Sequence, residues 1–121
     1  MIKICLFEDD ETMRSLLKTL LEIEGYQVLA TNPEEDAISI LIREKPNLLI
    51  LDVHLKYCDG VDILKSIRET EETKSLVVLM TSGMDLEDIC LNSGANGFLL
   101  KPYMPDDLIN WIKINTTQSY N

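Results

Sequence analysis

A chain of 121 residues, 45% of them hydrophobic, is long enough for one domain with a core of its own. Its 21 acidic side chains against 11 Lys and Arg leave a net charge of −10, which speaks against a nucleic-acid-binding surface and for a divalent cation or a basic partner. The apolar runs are too short to span a membrane, the N-terminus lacks a signal-peptide layout, and Cys5, Cys58 and Cys90 follow no metal or disulfide spacing, so reduced thiols in the cytoplasm are expected.

Strand-like and helix-like segments alternate along the whole chain. A first strand is expected over residues 3–7, then a helix over 11–24 with Met13, Leu16, Leu17, Leu20 and Leu21 at helical spacing and Gly25 as its stop. A second strand over 27–30 leads to a helix whose start reads as Asn32 at the N-cap and Pro33 in the first turn, followed by Glu34 and Glu35. Ala37, Ile38, Leu41 and Ile42 form its inner face, and Pro46 closes it. The third strand, 48–51, is apolar throughout, as a central strand covered on both faces should be. A helix over 61–69, a strand over 76–80, a short helix over 86–92 stopped by Gly94, a strand over 97–100 and a helix over 105–115 complete the pattern. The polar residues 116–121 read as a frayed tail of a single domain spanning 1–121.

This is (βα)5, an α/β fold with a doubly wound five-stranded parallel sheet and right-handed crossovers. In the flavodoxin-like strand order 2-1-3-4-5, ligands bind beyond the carboxyl ends of strands 1 and 3, where the order reverses. Glu8 and Asp9 end the first of these strands and Asp52 ends the third. Three converging carboxylates form an oxygen-rich site suited to Mg²⁺ or Mn²⁺. Thr81 and Lys101 end strands 4 and 5 and close the ring. An ionised Asp52 can act as a nucleophile toward phosphorus, and the remaining groups suit positioning and charge stabilisation. Taken singly, Thr81 reads as an ordinary strand residue, Lys101 as a surface lysine and Phe98 as core; their roles come from the constellation.

With Glu8-Asp9 six and five residues before Arg14, Asp59-Gly60 seven and eight after Asp52, Thr81-Ser82, and Gly97-Phe98-Leu99-Leu100-Lys101-Pro102, the chain resembles the receiver domain of two-component response regulators over essentially its whole length. The resemblance implies that Asp52 accepts phosphate from a sensor histidine kinase or phosphotransfer protein. It implies that Glu8, Asp9, Asp52 and the main-chain carbonyl of His54 hold Mg²⁺, and that Lys101 contacts the phosphoryl group through a strand end followed by a cis Lys101–Pro102 bond. Thr81 and Phe98 would switch, and the surface of helix 4, strand 5 and helix 5 would meet a downstream protein or output domain. A phosphorylation-dependent homodimer is a further state the family allows. The chain departs from the family pattern at Lys56, where proline is frequent, at His54 and at Gly83, positions that bear on the rate of dephosphorylation.

No further domain follows the fifth helix in this sequence, so the chain reads as a receiver acting alone or as a piece of a longer regulator. It would catalyse only its own phosphorylation and dephosphorylation. A small aspartyl-phosphate phosphohydrolase needs an acid two residues past the nucleophile, where His54 stands. A flavin carrier of the same fold would meet repulsion at Glu8-Asp9-Asp10. A degenerate receiver used as a scaffold would lack one of the site residues. The remaining singular residues read as packing or loop: Cys5, Cys90 and Met80 as core, Cys58 and Met84 as loop. Trp111 fits either a core anchor or an exposed binding patch.

Overall fold

Alternating apolar segments fold into β1 (Lys3–Phe7), α1 (Glu11–Ile23), β2 (Gln27–Thr31), α2 (Ala37–Glu44), β3 (Leu48–Asp52), α3 (Gly60–Glu69), β4 (Val77–Ser82), α4 (Glu87–Asn92), β5 (Gly97–Leu100) and α5 (Pro105–Thr116). This computed structural model describes residues 1–33 and 36–116. The strands form one parallel sheet in the order β2-β1-β3-β4-β5, as the sequence pattern requires.

Period-two alternation divides the strand side chains between two cores. Cys5, Phe7, Leu49, Leu51, Val78 and Met80 face Ala37 and Leu41 of α2, Ile63, Leu64 and Ile67 of α3, and Cys90 of α4. Ile4, Leu6, Leu48, Ile50 and Leu79 face Leu17 and Leu21 of α1 and Leu108 and Ile112 of α5. Every residue of β3 is buried, which is why it reads as an unbroken aliphatic run. Cys5, Cys90 and Met80 lie in the core and Met84 is exposed in a loop.

The helix starts follow from short acidic caps. The carboxylates of Asp10, Asp36 and Asp59 accept from the amides of Met13, Ile38 and Val61 at 2.9, 3.0 and 2.8 Å. Asp36 therefore corrects the expected start of α2 at Asn32. Its side chain also accepts from the Ser39 hydroxyl at 3.1 Å, whereas the Asn32 side-chain oxygen is buried without a partner among the described residues. Glu34 and Glu35 lie outside the described residues, as do residues 117–121 of the expected tail. Gly25 and Gly94 end α1 and α4 with φ of 95° and 109°, a backbone state that glycine reaches without strain.

Two further departures have physical causes. β4 continues through Thr81 and Ser82 because their backbones pair with Leu99 and Leu100, so polar side chains extend an apolar run. Leu16, included in the inner face of α1 by its spacing, is 61% exposed; the buried face is narrower, centred on Leu17 and Leu21. Trp111 is a packing residue: a Cβ on Gly97 would stand 2.5 Å from its ring, so glycine at the start of β5 makes the room the indole fills.

Arg68 of α3 ties the two loops after α3 and α4 together. Its Nε donates to Gly94 O at 2.8 Å and its Nη1 to Lys74 O and Leu76 O at 2.9 and 2.7 Å. Its Nη2 donates to Asn96 Oδ1 at 2.9 Å, which also accepts from the Val78 amide. One guanidinium thus anchors the loop after α4 to the end of α3, using the fixed fork of donors that lysine lacks.

Candidate functional site

The strand ends carry their polar residues to one edge of the sheet. β1 delivers Glu8 and Asp9, and β3, its hydrogen-bonded neighbour, delivers Asp52. One carboxylate oxygen from each of the three lies within 4.8 Å of the others. Asp52 is in register with Thr81 on β4, and the backbones stay joined past that point through the Val53 amide and Thr81 carbonyl at 2.9 Å. Glu8, Asp52 and Thr81 are all buried, at 2, 4 and 2% exposure.

Lys101 enters from beyond β5. Its ammonium donates to Glu8 Oε1 at 2.7 Å and to Asp52 Oδ2 at 3.1 Å. The strand end that aims it is held by the Lys101 amide on Ser82 O at 2.7 Å, and the Lys101–Pro102 peptide that follows is cis. Burial raises the Glu8 carboxyl above its ordinary value, against the Lys101 hydrogen bond, which lowers it, and with the Asp52 charge, which raises it further. Burial alone would lower the Lys101 ammonium; its contacts with Glu8 and Asp52 outweigh that and raise it. The three groups form one electrostatic unit in which a single cation offsets two buried carboxylates.

The loops around this unit hold it in shape. The Asp52 side chain accepts from the His54 amide at 3.2 Å. The chain then turns back, with His54 bridged to Asp59 and the Gly60 amide on Val53 O at 2.8 Å. A Cβ on Gly60 would press on the Asp52 carbonyl oxygen and stand 2.8 Å from Val53 Cα, so only glycine fits behind the central carboxylate. Arg14 Nη1 donates to Glu8 O at 2.7 Å, fixing the acidic loop from α1. Sequence spacing marked Arg14 as a neighbour of the acidic pair; its contact with the Glu8 carbonyl was not legible.

Phe98 lies one strand over, in register with Met80 and packed against the α2–α4 core. His54 is exposed at the site's rim.

Tyr103 is a residue that spacing did not single out. Burial pushes its phenol up to about 12, with Lys101 lowering it and Glu8 and Asp52 raising it, and its hydroxyl is buried without a hydrogen-bond partner. Tyr103→Phe is therefore expected to stabilise the native state by about 1 kcal/mol at neutral pH, by removing an unsatisfied polar group. A raised folded pKa supplies stability that is complete below the ordinary phenol value of 10.0 and is lost as pH rises toward about 12. Thermal melts across that alkaline range should fall less steeply for the phenylalanine variant; parallel curves would count against a buried phenol.

The oxygen donor set of Glu8, Asp9 and Asp52 fits a hard divalent cation such as Mg²⁺, which prefers carboxylate oxygens and retained water to nitrogen or sulfur. Among the described residues no helix is long and apolar enough to cross a membrane.

The chain is similar to known proteins over most of its length. The model of the response regulator receiver domain matches residues 4–113. The transcriptional regulatory protein CpxR of Escherichia coli is 36% identical over 121 residues, covering 99% of this chain and 51% of its own length. The alkaline phosphatase synthesis transcriptional regulatory protein PhoP of Bacillus subtilis is 30% identical over 107 residues, covering 88% of this chain and 45% of its own. The chain thus spans about half the length of the curated relatives it matches. Among solved structures, the signal receiver domain of a DNA-binding response regulator from Colwellia psychrerythraea superposes with a TM-score of 0.89 at 25% identity, covering 98% of this chain and 100% of that one. By fold, by site and by kinship over nearly all its residues, the chain belongs to the receiver domains of two-component response regulators.

Proposed function

We propose that this receiver is a phosphorylation switch in which Asp52 is the phosphoacceptor. The observation that carries the reading is the meeting of the Glu8, Asp9 and Asp52 carboxylates within 4.8 Å, with the Lys101 ammonium 3.1 Å from Asp52. An Asp52 carboxylate oxygen attacks phosphorus of a phosphohistidine on a sensor histidine kinase or phosphotransfer protein. The P–N bond breaks as the P–O bond forms, and the imidazole leaves with the electron pair. Lys101 shifts from the carboxylates to a phosphoryl oxygen, and the Thr81 hydroxyl donates to another. Glu8, Asp9, Asp52 and the His54 carbonyl are the residues that would hold Mg²⁺ or Mn²⁺, which when bound neutralises phosphoryl charge.

The chain acts on no separate substrate; it catalyses its own phosphorylation and dephosphorylation in the cytoplasm. Thr81 moving toward the phosphoryl group opens space beside β5, into which the ring of Phe98 turns. The change is read on the face of α4, β5 and α5 by a downstream protein or an output domain, without direct contact between this chain and nucleic acid. Such a switch is a two-state bias of a few kcal/mol.

Incubation with acetyl phosphate and Mg²⁺ followed by intact mass tests the reading: one phosphoryl group should be gained. An unchanged mass would favour the scaffold reading, and sustained turnover of a generic phosphate ester the phosphohydrolase.

Cation binding to the native state alone should also raise the melting temperature, by the equivalent of about 2.7 kcal/mol at a hundredfold excess over Kd. The single Lys101 cation cannot balance both Glu8 and Asp52, and Asp9 adds a further carboxylate to the cluster, so Asp9→Ala should remove much of the response. A melting temperature indifferent to millimolar Mg²⁺ in a folded sample would rule the metal site out.

A further inference from the structure

We infer that the Tyr103 hydroxyl is a reserve hydrogen-bond donor for Glu8, idle while Lys101 holds that carboxylate and engaged once Lys101 leaves it. The inference rests on the proposal that Asp52 accepts a phosphoryl group and that Lys101 moves to one of its oxygens.

The need arises at Glu8. Its Oε1 accepts from the Lys101 ammonium at 2.7 Å, the bond that a move of Lys101 gives up, while Oε2 keeps the Asp10 amide at 3.2 Å. Glu8 is buried, so bulk water does not take over the vacated position, and a buried charge that loses its donor is costly. A carboxylate accepts at about four positions, so a divalent cation on Glu8 leaves room for a donor.

The spare donor stands beside it. Among the described residues two buried side-chain polar atoms lack a partner, Asn32 Oδ1 and the Tyr103 hydroxyl, and of these only the hydroxyl donates. Tyr103 lies two residues beyond Lys101, lines the same cavity beside α1 as Lys101 does, and packs its ring against the α1–α5 core. Its phenol feels the charges of Lys101, Glu8 and Asp52, so the hydroxyl lies within their field; burial pushes it up to about 12, so it keeps its proton at neutral pH. Asp9 is not among those charges, and Asp52 is the residue that takes the phosphoryl group, which leaves Glu8 as the acceptor. An unsatisfied donor raises the free energy of the resting chain, and a satisfied one lowers that of the phosphorylated chain. Both effects favour the phosphorylated state, so Tyr103 acts as a positioning residue that biases the switch through Glu8.

Two measurements test this. The first is a double-mutant cycle in urea, in mildly alkaline buffer that favours the ionised carboxylate. Tyr103→Phe should raise the unfolding midpoint of the parent. In the Lys101→Met background, where Glu8 has already lost the ammonium, the same change should lower it. A hydroxyl that matters only for packing would act with one sign in both backgrounds. The second measurement needs only the parent and Tyr103→Phe, and decides alone if a Lys101→Met chain fails to fold. Beryllofluoride with Mg²⁺, titrated by NMR of the ¹⁵N-labelled chains, should bind the phenylalanine variant roughly tenfold more weakly, the worth of one hydrogen bond to a charged acceptor. Equal beryllofluoride affinity, the same sign in both backgrounds, or a parent that loses stability on Tyr103→Phe would each overturn the inference. A parent that binds no beryllofluoride rejects the phosphoacceptor reading, while the urea cycle still judges whether Tyr103 can replace Lys101 at Glu8.

Discussion

Asp52→Asn is expected to take up no phosphoryl group from acetyl phosphate and Mg²⁺ under conditions where the unaltered chain should gain one. An amide matches the carboxylate in size but supplies no anionic oxygen to attack phosphorus. Glu8 and Asp9 each offer a carboxylate oxygen within 4.8 Å of one on Asp52, so the loss discriminates among three neighbours and is not a generic effect of removing an acid. Glu8 is the weaker candidate because its oxygen is bound to Lys101 at 2.7 Å and burial favours its protonated form. Folding should survive the change. One negative charge leaves a buried pair that shares a single cation, and the remaining Lys101–Glu8 bridge is intact. A melting temperature equal to or above that of the parent, with no mass gain, is the expected result. Equal labelling of the variant would move the acceptor to Glu8 or Asp9.

The architecture and the site were legible because both depend on short-range rules. Unbroken apolar runs at Ile4–Phe7, Leu48–Leu51 and Val77–Met80, short and alternating with helical segments, read as strands covered on both faces, and parallel topology then sends their C-terminal residues to one edge. Glu8, Asp9, Asp52, Thr81 and Lys101 are all such residues, so their convergence follows from the strand order. What was not legible depends on competition or on distance. Two residues suited to an N-cap, Asn32 and Asp36, precede α2, and only the folded chain shows that Asp36, with Ile38 and Ser39 as partners, takes the position. The Arg68 clamp joins residues 6 to 26 positions apart through main-chain oxygens, which carry no sequence signature. Trp111 fitted two readings until the bare backbone of Gly97 was seen beneath its ring. Lys101 was expected to await a phosphoryl group. In the structure the lysine binds the two buried carboxylates, which gives it a second, structural task.

That second task predicts a loss of stability when the charge is removed. Lys101→Met keeps the length and apolar stem of the side chain and leaves Glu8, 2% exposed, and Asp52, 4% exposed, without their cation. Stranding a buried charge costs about 3–5 kcal/mol. The Lys101 side chain is itself 24% exposed, so solvent screens part of the pair and a value near the lower bound, about 3 kcal/mol, is expected at neutral pH. The pH dependence separates this cause from a simple packing defect. Glu8 has a folded pKa above its unfolded value of 4.5, so the stability it contributes is complete below 4.5 and lost as pH rises through the folded value. Removing Lys101 withdraws the interaction that lowers that folded value and widens the gap. The deficit of the methionine variant relative to the parent should therefore shrink as pH falls toward 4.5, where Glu8 becomes neutral in both. Urea titrations of the two proteins across that range measure the difference directly. A deficit that stays constant from neutral to acid pH would mean that Lys101 supports the fold by packing alone, and that the buried carboxylates are stabilised by something other than its charge.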